Sequence, residues 1–357
     1  SRCPPPAPSG AAVVMPLLPA ASSGGVRLAD VAPAPESIRV CGVTIASDQT
    51  ELRCQEPESD LQKLARLPSL TRLELETAAT DLTPLGKLTK LEVLDLSASR
   101  LSTLAFLAPL SKLRGLRLRG DFNRATGPKS FVAASQRPTV ALEGIERMKS
   151  LELVFLAQMT VGDISPLCKL AKLEVLDLSF NVTATTPGVA ALQQCTKLAF
   201  LNLASWPLTD LAPLSKLEAL MKLEMSDVKL LTVEPLATLP GLRNLRIERS
   251  TLKDEASLAK LIYLEILDLT GTNLQRYAAA LGEHSFHLRV LNLTSTELRD
   301  LSPLAKAPVL ERLVVGDVAK QAPVQALRRL KPQLTIDVTD TSNMLEEDGF
   351  WTWFDPE

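Results

Sequence analysis

One phrase, Leu-x-x-Leu-x-Leu, recurs along this chain and limits its fold more than any other feature. It opens at Leu70, Leu91, Leu113, Leu151, Leu173, Leu198, Leu220, Leu242, Leu264, Leu288 and Leu310, with a degenerate copy at Leu334. The steps are 21, 22, 38, 22, 25, 22, 22, 22, 24, 22 and 24 residues, so all but one sit on a unit of about 22. A fixed period of this length is the mark of stacked repeats, not of a globular domain. Within each phrase the leucines alternate inward and the residues between them outward, as in a short strand. A single coil cannot bury its own leucines and needs neighbours above and below.

The second half of the unit is also regular. Asp-Leu-Thr-Pro-Leu85, Asp-Ile-Ser-Pro-Leu167, Asp-Leu-Ala-Pro-Leu214 and Asp-Leu-Ser-Pro-Leu304 each predict a turn into a short helical segment. Thr83, Ser165 and Ser302 are expected to cap it, and Pro84, Pro166 and Pro303 fit its first position, where no N–H is needed. In these phrases and segments the chain resembles the leucine-rich repeat family. Its unit is similar to the subclass of the type-1 phosphatase regulatory subunit and of bacterial internalins. The resemblance covers residues 61–339. It implies an α/β solenoid of about 12 coils, with a parallel β-sheet on the concave face and short 3-10 or α segments on the convex face. The ladder Asn of the family stands at Asn181 only; Ser99, Thr272 and Thr296 hold the slot elsewhere, where a hydroxyl does similar backbone bonding.

The stacking divides the chain. Residues 1–36, rich in Pro, Ala, Ser and Gly, read as an extension, either an arm or the remnant of a targeting peptide. Residues 37–60 alternate like a strand and are expected to cap the first coil. The 38-residue step hides an insertion within 119–140, read as a loop leaving the solenoid. The tail, 340–357, sets Phe350, Trp351, Trp353 and Phe354 among acids; it either covers the last coil or docks a partner.

Catalytic signatures are absent from the pattern. There is no phosphate-cradling Gly loop, no HExxH and no nucleophile elbow. His284 and His287 are read as loop residues, not metal ligands, and no cofactor is implied. Net charge is −2, so no global basic field recruits nucleic acid. No apolar run reaches the roughly 20 residues of a membrane span. Of five cysteines, Cys168 and Cys195 occupy core-facing repeat positions and are read as reduced packing residues. Secreted members of the family often close the first coils with disulfides, which leaves a Cys41–Cys54 bridge open. The Cys-poor repeats favour an intracellular, cytoplasmic setting over an organellar or secreted one. The sequons at Asn181 and Asn292 fall in the strand region and are read as chance.

The outward residues of the strands make a surface map. One row is Glu74, Asp95, Arg117, Phe155, Asp177, Asn202, Glu224, Arg246, Asp268, Asn292 and Val314. The other is Arg72, Val93, Gly115, Leu153, Val175, Phe200, Lys222, Asn244, Ile266, Val290 and Arg312. The centre, Leu153, Phe155, Val175 and Phe200, with Phe180 and Trp206 beyond the strand ends, reads as an exposed aromatic patch. Asp177, Asn202, Glu224, Arg246 and Asp268 rim it, as in a protein-binding centre. A second candidate surface is basic: Arg114, Arg117, Arg119, Arg124, Lys129 and Arg137, suited to an anion or RNA. The expected function is a non-catalytic scaffold or adaptor that holds a protein partner on the concave face. The alternatives are a structural subunit of a large assembly or ribonucleoprotein, and an extracellular receptor or adhesin.

Overall fold

The computed structural model describes residues 36–54, 56–98, 101–119, 139–183, 188–206, 208–274, 286–296, 300–316 and 322–337. Thirteen of the described strands form one parallel sheet, in chain order from Glu51–Arg53 to Thr335–Asp337. Each step along the sheet is one coil. The leucines of the phrase are its core: Leu264, Leu267 and Leu269 are all buried, and so are their counterparts in the coils from Leu70 to Leu310. Neighbouring strands pair in the register that the repeat dictates, for example Asp177 beside Phe155 on one side and Asn202 on the other.

The first strand of the sheet comes from the segment read as a cap. There, Ser37–Val40 and Val43–Ala46 form an antiparallel hairpin. Its two turn residues, Cys41 and Gly42, both have positive φ, which matches the twist of a two-residue hairpin. The chain then adds Glu51–Arg53 alongside Arg72–Thr77. At the 38-residue step, Gly115–Arg119 pairs directly with Leu153–Ala157, so the sheet passes over the insertion without adding a strand. The degenerate copy forms the last strand, reached through the helix Ala322–Leu330.

Strand length follows one residue. Where the fourth position after the opening leucine is Asp177, Asn202, Asp268 or Asn292, the strand has three residues. Each of these side chains accepts the backbone N–H two residues on: Ser179 at 2.7 Å, Ala204 at 3.0 Å, Thr270 at 2.9 Å and Thr294 at 3.0 Å. This turn withdraws a donor from the ladder and ends the strand. Arg117, Phe155, Glu224 and Arg246 make no such turn, and their strands run to five residues. Asp95 and Val314 are exceptions: the Asp95 carboxylate is held by arginines instead, and Val314 ends a three-residue strand with no side-chain acceptor.

After the strand, seven successive coils turn at a left-handed residue: Gln158, Phe180, Ser205, Asp227, Arg249, Gly271 and Ser295. The convex segments are 3-10 helices. Their entry corrects one expectation: Thr83, Ser165 and Ser302 are not the caps. The aspartate two residues earlier is the acceptor. Asp81 takes the Thr83 N–H at 3.0 Å, Asp163 that of Ser165 at 2.9 Å, and Asp300 that of Ser302 at 2.9 Å. The Thr83 and Ser165 hydroxyls donate to the same carboxylates. These bonds hold Asp81, Asp163 and Asp300 below the usual carboxylate range.

The cysteines give a second correction. Cys168 and Cys195 are not reduced packing residues but a disulfide between adjacent coils, with Cα atoms 4.4 Å apart. Cys41 and Cys54 are also bonded, fixing the hairpin to the start of the sheet. Cys168 stands where other coils carry Ala65, Gly86 or Ala237, a slot for small side chains. A Cβ on Gly86 would lie 2.9 Å from the Phe106 carbonyl of the next coil, which shows how closely this slot approaches its neighbour.

Candidate functional site

The two outward rows of the sequence map lie side by side on the sheet, strand by strand. They bring together the aromatic centre and a chain of charges, but the centre is covered where an open patch was expected. Phe155 and Phe200 are 3% and 1% exposed, and Leu153, Val175 and Val93 join them in an apolar cluster separate from the leucine core. Strands about 4.8 Å apart press these side chains together. Cations from neighbouring coils also lie over the rings: Arg117 is 5.4 Å from the Phe155 centroid and Lys222 is 5.2 Å from that of Phe200.

Charges flank the cluster on both sides. Toward the N-terminus, Asp95 receives Arg117 at 3.2 Å and Arg119 at 2.6 Å. Toward the C-terminus, Lys222 meets Glu224 at 3.3 Å, and Glu224 lies 3.8 Å from Arg246. Arg246 in turn lies 3.3 Å from Glu248 and 3.7 Å from Asp268. Asn202 and Asn292 each donate to the aspartate one coil earlier, Asp177 and Asp268, at 3.3 Å. Burial pushes the Asp177 carboxyl up to about 6, against its bonds to Ser179 and Asn202, and the Glu224 charge adds to the rise.

Several candidates are structural in this geometry. Asp177, Asn202 and Asp268 are buried and spend an oxygen on their own backbone. Trp206 is 1% exposed, and its indole N–H donates to the Leu178 carbonyl of the previous coil at 2.5 Å. That is the bond which Asn181 makes to Leu156 and Thr272 to Ile247. Trp206 therefore fills the ladder slot and belongs to the core, not to a binding rim. Ser250, unremarked in the sequence, fills it too, accepting from Val228 and donating to Glu248. Phe180 is half-buried at the left-handed turn. Asn181 and Asn292 are buried and bonded, so their sequons are parts of the framework.

Of the basic candidates, Arg114 bonds Glu152 at 2.7 Å, and Arg117 and Arg119 share Asp95. Arg124, Lys129 and Arg137 lie outside the described residues, as do His284 and the tail candidates Phe350, Trp351, Trp353 and Phe354. The Ile262 carbonyl accepts from the His287 ring at Nδ1, 2.9 Å away. Among the described residues no group of His, Cys, Asp or Glu could hold a metal ion. Nor is any helix among them long and apolar enough to cross a membrane.

The thirteen-strand parallel sheet, the buried leucine phrase and the hydrogen-bonded ladder slot decide the family. The chain is a leucine-rich repeat protein. No family model matches it. It is 40% identical over 62 residues to human leucine-rich repeat-containing protein 56, a match covering 17% of this chain and 11% of that protein. Among solved structures it resembles TLR13 in its complex with ssRNA13, at a TM-score of 0.57 and 21% identity, covering 74% of this chain and 39% of that one. It also resembles a leucine-rich repeat protein of Leptospira interrogans, at a TM-score of 0.50 and 17% identity, covering 81% of each chain. At these identities the two structures carry the fold of the leucine-rich repeat chain and nothing finer.

Proposed function

We propose that this leucine-rich repeat chain is a non-catalytic binding module that holds a protein partner on its concave face. The observation that carries the reading is the cation-covered apolar cluster around Phe155 and Phe200, set between two charge networks on one preformed sheet. A rigid surface of this kind binds with little ordering cost. The buried rings keep the surface rigid, and the charges over and around them supply steering and register. The test is co-purification of tagged protein from its native cells, comparing wild type with a Phe155→Ala, Phe200→Ala variant at low and high salt. Circular dichroism confirms that the variant is folded. The expected result is loss of a protein partner from the variant at both salts. An unchanged partner set would overturn the reading.

A second reading concerns the setting. Two disulfides among the described residues favour an oxidising compartment, and with it the receptor or adhesin alternative over a cytoplasmic adaptor. Alkylation of the unfolded protein without reductant, followed by mass measurement, is expected to label one cysteine of the five. Labelling of all five returns the module to a reducing compartment.

A further inference from the structure

Five of the seven large apolar side chains exposed among the described residues gather on one flank of the stack, away from the concave face. They are Met221 at 54%, Ile262 at 39%, Tyr263 at 41%, Phe286 at 56% and Val309 at 41%. Each stands within two residues of an opening leucine, where the chain enters its strand. Arg243 lies 5.7 Å from the Tyr263 ring centroid and the His287 ring 6.4 Å from it, so the Tyr263 ring is held in place. An apolar stripe of this kind marks a contact with another molecule.

The charges beside the stripe say which molecule. The residue after the opening leucine is Arg243, Glu265, Arg289 and Glu311 in four successive coils, each bonded through its backbone to the one before. Within one copy Arg243 pairs with Glu265 at 3.3 Å and Arg289 with Glu311 at 2.9 Å, and all four side chains keep two-fifths or more of their surface. Reversed, this row reads Glu, Arg, Glu, Arg. A second copy laid face to face in reversed coil order therefore sets Arg243 against Glu311 and Glu265 against Arg289, opposite charge at every place. The earlier part of the same row, Glu92, Arg114, Glu152 and Glu174, would set Glu92 against Glu174 and does not match itself.

We propose that two copies of this chain pair flank to flank about a two-fold axis that lies in the plane of contact and crosses the stack between Glu265 and Arg289. Contacts of this symmetry use one self-complementary patch on both copies. Ile262 and Tyr263 of one copy then meet Phe286 of the other. Val309 sits over Pro240 and Gly241, where the flank projects least. Met221 faces the last coil, whose Leu330 is 59% exposed, and Glu218 comes opposite Arg328 and Arg329. Six strands carry the contact, five steps of about 4.8 Å or about 24 Å in all. Apolar burial supplies the affinity, while the exposed charges, worth little singly, fix the register. The concave face stays open in this pair, so the proposal does not depend on the reading above.

The test is sedimentation velocity of the full chain with its free thiol alkylated, so that only non-covalent pairing is read. A small interface is reversible, so samples run from about 2 to about 200 µM at about 150 mM salt. Wild type is expected to pass from monomer to dimer within that range. Two variants each exchange one in-chain ion pair: Arg289→Glu, Glu311→Arg in the first and Arg243→Glu, Glu265→Arg in the second. Each keeps its own Arg–Glu pairs but sets like charges against each other across the axis, and dimerisation should weaken tenfold or more. Mixed one to one, the two variants are complementary at all four places and should dimerise again. Tyr263→Ala, Phe286→Ala should also weaken wild-type pairing tenfold or more, with thermal unfolding confirming every fold. Wild type that stays monomeric at the highest concentration would overturn the proposal. So would variants that dimerise singly as well as wild type, or a mixture that stays monomeric.

Discussion

Asp177 offers a pH-dependent measurement of the concave network. Its carboxyl has an ordinary value of 3.8 and is carried to about 6 in the fold, mainly by burial, with Glu224 adding repulsion. A carboxyl raised in the folded state binds its proton more tightly there than in the unfolded chain. Below pH 4 this contributes its full stabilisation, and the contribution is lost as pH rises through about 6. The difference of about two pH units corresponds to roughly 3 kcal/mol. Asp177→Asn removes the titration. The amide oxygen can still accept the Ser179 N–H, while its NH2 meets the Asn202 NH2, a conflict that costs about 1 kcal/mol whatever the pH. Urea unfolding of wild type and variant from pH 3.5 to 7.5 is the assay. The stability difference between them should change by about 3 kcal/mol in favour of the variant as pH rises. Other carboxylates titrate in both proteins and cancel. Two curves that stay parallel across this range would refute the assignment of a raised carboxyl to Asp177.

Three further substitutions test the framework. Trp206→Phe removes the indole donor and leaves the buried Leu178 carbonyl unmet, so stability in urea should fall by about 1–3 kcal/mol; a loss under about 0.5 kcal/mol would show that the bond is idle. Ser295→Gly relieves a left-handed residue at φ 56° and should raise stability by about 1 kcal/mol. Gly271→Ala should lower it by a similar amount, since φ is +63° there and the new Cβ would lie 3.3 Å from Arg249 Cγ.

The repeat made most of the fold legible, because a leucine period leaves no freedom in which residue meets which across coils. The row that joins Asp177 to Phe155 and Asn202 follows from counting alone. What lay beyond counting was the reach of long side chains. Arg117 and Lys222 cross to rings on neighbouring strands, so residues assigned to an open patch are buried. Trp206 was assigned by its chemistry, as an aromatic suited to a partner. Its position told otherwise: it stands eight residues after Leu198, as Asn181 does after Leu173. The strand-ending turns had a signal too, in Asp177-x-Ser179, Asp268-x-Thr270 and Asn292-x-Thr294. The Cys168–Cys195 pair was hidden because 27 residues separate two atoms that only stacking brings together.

That bond has a consequence for how the stack comes apart. In a solenoid each coil leans only on its neighbours, so unfolding is a boundary that travels inward from a loose end. The Cys168–Cys195 link ties the coil of Leu153–Ala157 to that of Val175–Asp177. A boundary arriving from either side stops there, because opening one of the two coils frees less chain while the other still holds it. Heat or denaturant would then strip the ends first and leave these two coils, with Phe155 in one and Phe200 on the next strand, as the last part to melt.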